Sequence, residues 1–111
     1  MAKTIEFKAS DGETYTLEFS RRTVSDMERA GFRLNDISDK PVTSYPLLIR
    51  GAFKCHHRKM KDDEIDKVYK ALRNKDAFIE KLAEMYADTV NSLFDEPEED
   101  AKNAVDWKAN F

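Results

Sequence analysis

The stretch that most limits what this chain can fold into runs from Thr4 to Phe19. TIEFKA (Thr4–Ala9) alternates Ile5 and Phe7 with Glu6 and Lys8. TYTLEF (Thr14–Phe19) alternates Tyr15, Leu17 and Phe19 with Thr16 and Glu18. A period of two is that of a strand with one buried face. Between them, Ser10-Asp11-Gly12-Glu13 holds an Asp-Gly pair, a strong hairpin-turn signal. A two-stranded hairpin is marginal in water, so its apolar face needs a cover.

The remaining chain supplies that cover as helices. Ser20 is placed to cap a helix over Arg21–Ala30, with Gly31 as its stop. Arg21 and Arg22 in its first turn oppose the helix dipole. Phe32, Leu34 and Ile37 follow among turn residues, Asn35-Asp36 and Ser38-Asp39-Lys40-Pro41, and should dock on the core. LLIRGAFKCHHRKM (Leu47–Met60) is a helix-length run whose four charged residues are all basic. Leu48, Ala52 and Cys55, with Ile49, Phe53 and His56, recur at helical spacing. The pattern predicts a central helix capped by Thr43 or Ser44, with Pro46 in its first turn. Gly51 inside it points to close packing, and Arg58, Lys59 and Lys61 fall at its negative end.

Two further helices are predicted. Asp63–Leu72 opens on Asp62, Asp63 and Glu64, where negative charge is favoured, and presents Ile65, Val68, Tyr69 and Leu72. Asn74 can cap a last helix from Lys75 to about Phe94, whose apolar side is Phe78, Leu82, Met85, Tyr86, Thr89, Val90 and Leu93. The expected fold is α+β: the hairpin Thr4–Phe19 packed on a bundle of about four α-helices, with an acidic flexible C-terminal tail. Ile5, Phe7, Tyr15, Leu17, Phe19, Leu48, Ala52, Phe53, Phe78, Leu82 and Tyr86 are the expected core. Residues 1–94 are read as one globular domain and 95–111 as the tail, since 111 residues suit one core.

Charge is uneven along the chain. Net charge is −3, but 1–94 carry 17 basic against 16 acidic residues, whereas 95–111 carry two against six. A near-neutral body argues against nonspecific nucleic-acid binding. The stripe Arg50, Lys54, His57, Arg58, Lys59 and Lys61 could still meet phosphates, although the acids Asp62 to Glu64 partly cancel its field. One cysteine rules out an internal disulfide and fits a reducing compartment. Met1 to Phe7 does not read as a signal peptide, and no run approaches a membrane span, so a cytoplasmic setting is expected.

No catalytic signature stands out: there is no glycine-rich phosphate loop, no GxSxG and no carboxylate pair between apolar walls. Cys55, His56 and His57 invite a metal reading, but three consecutive helical residues point about 100° apart and do not converge. No enzyme activity, metal or cofactor is expected. The tail is the oddity. Asp95–Asn103 (DEPEEDAKN) lacks large apolar residues, and AVDWKANF (Ala104–Phe111) then brings Val105, Trp107 and Phe111. These three are the foremost candidates for partner binding, with Arg50, Lys54 and Arg58 beside them.

Several segments, in order, resemble one family: GETYTLEFSRRTVSDMERAGF (Gly12–Phe32), PLLIRGAFKCHHRKM (Pro46–Met60), EKLAEMYADTVNSLF (Glu80–Phe94) and the acidic tail ending near VDWKANF. They look like the small tail assembly chaperones of siphophages and prophages of Gram-positive bacteria. The resemblance implies a noncatalytic protein of the host cytoplasm, absent from the finished virion. Its implied partners are the tape measure protein, which such chaperones keep soluble, and the tail-tube protein that polymerises around it. A homo-oligomer is a further expectation. The alternative reading is a small nucleic-acid-binding phage or prophage regulator using the stripe from Arg50 to Lys61.

Overall fold

The hairpin forms as its alternation dictates. β1 (Ile5–Lys8) pairs antiparallel with β2 (Thr14–Leu17), setting Ile5 opposite Leu17 and Phe7 opposite Tyr15. The computed structural model describes residues 3–98 and 100–111. In the connection, the Gly12 N–H donates to the Ala9 carbonyl at 3.0 Å, and Gly12 takes a φ of +86° that a side chain would resist. Asp11 accepts from the Glu13 N–H at 2.8 Å and from the Tyr15 hydroxyl at 2.9 Å. One carboxylate thus ties the turn to the buried face of β2.

Tyr15 is pushed up to about 12, chiefly by burial and then by its hydrogen bond to Asp11. Because its pKa lies above the ordinary value near 10, its stabilising contribution is complete below about pH 10 and is lost as pH rises through about 12. A spectrophotometric titration should show one tyrosine ionising near 12. Asp11→Asn should move that step down without restoring the ordinary value, because burial is the larger cause.

α1 (Arg21–Arg29) is closed at both ends by its own sequence. Thr23 N–H donates to Ser20 Oγ at 3.1 Å, and Ser20 N–H donates to Thr23 Oγ1 at 2.8 Å. At the other end Gly31 has φ +94°, and the Gly31 and Phe32 N–H groups donate to the Glu28 and Met27 carbonyls. That is the Schellman pattern, and it turns Phe32 into the core. The dipole conflict at Arg21 also resolves: its guanidinium donates to the Ser92 carbonyl at 2.9 Å, at the negative end of the last helix.

The central helix lies earlier than its periodicity predicts. α3 runs Pro41–Lys54, so it begins before the predicted caps Thr43 and Ser44 and ends before the basic residues expected in its last turn. Proline is favoured at the first helical position, and Pro41 occupies it. Thr43 and Ser44 are therefore inside the helix and do not cap it. Ser44 is buried, and its hydroxyl donates to the Asp36 and Lys40 carbonyls at 3.1 and 2.8 Å. Pro46 also lies inside the helix; the carbonyl it leaves without an N–H belongs to Val42, an exposed residue. The stretch read as a turn before Pro41 contains a four-residue helix, α2 (Asp36–Asp39). Arg58, Lys59 and Lys61 lie beyond the end of α3, so only Lys54 is a basic residue of its last turn.

α4 spans Asp62–Lys70 and α5 Lys75–Asn91, followed by a 3-10 turn, Ser92–Phe94. At α4 the Glu64 carboxylate accepts from the Lys61 N–H at 3.2 Å. Asn74 precedes α5 as predicted, but it makes no side-chain cap; it takes the left-handed conformation, φ +57°, which asparagine tolerates.

The architecture is the expected one, a hairpin packed on a helical bundle. Tyr15, Leu17, Phe19, Leu48, Ala52, Phe53, Leu82 and Tyr86 are buried. Ile5, Phe7 and Phe78 are instead half-buried at its edge, and Leu93 is exposed. Val24, Met27, Phe32, Ile49, Ile65, Ile79 and Met85 complete the core. The hairpin joins the bundle through backbone as well, since the Glu18 N–H donates to the Ala52 carbonyl at 3.1 Å.

Candidate interaction surfaces

The cationic stripe is largely engaged with its own chain. Arg50 makes a two-pronged contact with Asp66, Nε to Oδ1 at 3.2 Å and Nη2 to Oδ2 at 2.6 Å, and stands 3.9 Å from Asp62. The hydrogen bond to Asp66 raises the Arg50 pKa further. Lys54 donates to the Met60 carbonyl at 3.0 Å and lies 3.3 Å from Asp62. His57 accepts from the Thr16 N–H at 3.1 Å, so it serves β2. These contacts lock α3 to α4 and the hairpin, and they reduce the charge offered to phosphates.

Arg50, Lys54 and Arg58 nevertheless share one surface. With Arg22 they border a groove of about 390 Å³ between α1 and α3. Its floor includes Met27, Leu47 and Gly51, and its lining holds four cations against two acids, Asp26 and Asp62. Gly51 makes the two helices close: a Cβ there would overlap Met27 Sδ and meet Met27 Cγ and Cε at 3.0 Å. The close packing expected of Gly51 is therefore against α1.

Cys55, His56 and His57 do not converge as a trio, because His57 turns to the Thr16 N–H, but Cys55 and His56 come together with Glu18. Donor atoms of Glu18, Cys55 and His56 all fall within 4.8 Å of one another. A closed structural zinc site takes four donors, and here His56 Nε2 and Glu18 Oε1 already share a hydrogen bond of 2.7 Å. That bond ties the exit of β2 to the end of α3. Burial pushes the Cys55 thiol up, away from the reactive thiolate.

The tail side chains stand apart from the folded body. Val105 is 83% exposed and Trp107 86%, and Phe111 is fully exposed. Leu93 and Phe94, at its root, are exposed as well. Glu99, in the predicted acidic linker, lies outside the described residues; around it, hydrogen bonds join Ala101 to Glu98 and Ala104 to Ala101. The molecule is 55 Å long and 26 Å across its thinnest axis. Its radius of gyration, 16.8 Å, exceeds the roughly 13 Å of a compact chain this size, which accords with a tail running off the body.

Among the described residues no helix is long and apolar enough to cross a membrane. No curated protein and no solved structure matches the chain. A family profile does match, over residues 1–111, so that the acidic tail and its aromatic end fall within the family pattern along with the body. The chain belongs to the family described as Domain of unknown function (DUF5055).

Proposed function

We propose that the protein is a noncatalytic phage tail assembly chaperone that binds the tape measure protein and assists assembly of the tail tube. The observation that carries this reading is the tail. Three large apolar side chains, Val105, Trp107 and Phe111, are held in solvent beyond an acidic spacer. Isolated apolar residues are common on surfaces, but a cluster of this kind marks an interaction element. The sequence resemblance to tail assembly chaperones supports it. In this reading residues 1–94 form the folded body and 95–111 a tethered arm. A tape measure protein is long and helical, and apolar helical stripes are suitable targets for short aromatic motifs. The regulator reading has less behind it, because Arg50 and Lys54 are engaged by Asp66 and Asp62.

Coexpression with a cognate tape measure protein tests the proposal. The tape measure protein should move into the soluble fraction and copurify with this chain. An unchanged soluble fraction with no copurification would refute the assignment.

A further inference from the structure

We infer that the groove between α1 and α3 is the docking site for the C-terminal tail of a second copy of this chain. The inference rests on reading the tail as an interaction element, and adds the surface that receives it. Two observations meet here. The tail carries six acids against two lysines around its aromatic residues, so its ligand chemistry is an acidic peptide with a large apolar anchor. The groove has the complementary build: an apolar floor of Met27, Leu47 and Gly51 under the cations Arg22, Lys54 and Arg58. Gly51 matters because it lets Met27 seat against α3, so that the thioether side chain forms part of the floor. Arg22 and Arg58 have no ion-pair partner among the described residues, so their charge is available to an incoming carboxylate. The acids Asp95, Glu96, Glu98 and Asp100 can meet that rim while Trp107 enters the floor.

The geometry favours a second copy over the same chain. The bond from Arg21 to the Ser92 carbonyl sets the root of the tail at the N-terminus of α1, in a hollow lined by Arg21, Ser92 and Asp95 that is separate from the groove, and Trp107 stands in solvent away from its own body. From there the linker leads away. Clustered acids repel one another and extend a linker, and Pro97 stiffens it. Ten extended residues from Asp95 reach on the order of 30 Å, enough to meet a neighbouring copy. Two copies exchanging tails satisfy both grooves at once, the reciprocal arrangement of a swapped dimer. The near-neutral body offers little repulsion to such pairing.

Trp107 is the single tryptophan of the chain, so its emission reports its own surroundings. In the wild-type protein, light scattering should show mass rising above the 12.9 kDa of one chain as concentration increases, with Trp107 emission shifting to the blue in step. A second arm uses the full-length Trp107→Ala chain, which has no tryptophan, titrated with a synthetic peptide of residues 95–111. Peptide emission should shift to the blue and saturate. Arg22→Glu with Arg58→Glu, both exposed changes, should weaken binding about tenfold, and added salt should weaken it further. Circular dichroism of each variant checks that the body is folded. A monomer with solvent-exposed Trp107 at every concentration overturns the inference. So does a monomer whose Trp107 is always buried, since the tail then folds on its own body. A dimer indifferent to both charge reversals places the contact elsewhere and also overturns it. None of these arms contains a tape measure protein, so their failure leaves the chaperone reading standing, and failure of that reading leaves them unaffected.

Discussion

Phe53→Ala is expected to lower the unfolding free energy by about 3–5 kcal/mol. Phe53 is 0% exposed and sits on the face of α3 that receives the hairpin. Its ring meets Tyr15 edge-on at 5.7 Å, Phe7 at 6.3 Å and His57 at 6.3 Å. Truncation loses the transfer free energy of the ring and leaves a cavity among groups fixed by other bonds. Tyr15 is held by Asp11, and His57 by the Thr16 N–H, so neither can collapse into the space freely. Domains of this size have roughly 5–15 kcal/mol in total, so the variant should be marginal. Urea unfolding gives the value. A loss below about 1 kcal/mol would mean that the ring is not buried and that α3 is rotated.

Gly51→Leu should cost about 3 kcal/mol, although leucine is the better helix former by nearly 1 kcal/mol. The conflict is steric. Even a Cβ at this position overlaps Met27 Sδ, and Met27 is itself buried between α1 and α3. Gly51→Ala should cost less, because the end of a methionine side chain can rearrange. Met27→Ala opens the space, so Gly51→Ala should be better tolerated in that background than in the wild type. The double-mutant cycle should show a coupling of about 1 kcal/mol in that direction. Additive losses would show that the two side chains do not share the contact.

Local chemistry carried most of the fold into view. The period-two runs and Asp11-Gly12 define the hairpin, and Ser20 and Gly31 bracket α1. The displacement of α3 toward the N-terminus has a clear origin. Its apolar face continues in sequence through Cys55 and His56, but the helix does not, because Pro41 sets its start and the carbonyl of Ala52 turns to Glu18 in the hairpin. A contact with a residue 34 positions away leaves no periodic signal. The same holds for Arg21, whose partner is Ser92, and for Arg50, whose partner is Asp66. The tail residues were legible by contrast with their acidic surroundings. The groove was not, since it is assembled from Arg22, Met27 and Gly51 on two helices that only the fold brings together.

The reading of the tail as the working end can be tested in one pull-down. The full-length chain with Val105, Trp107 and Phe111 all changed to Ala is coexpressed with the tape measure protein and compared with wild type, with thermal unfolding of the chain as the control. These residues are exposed, so the melting temperature should hold while copurification of the tape measure protein is lost. Undiminished copurification by the triple variant would contradict the account and place tape measure binding on the folded body.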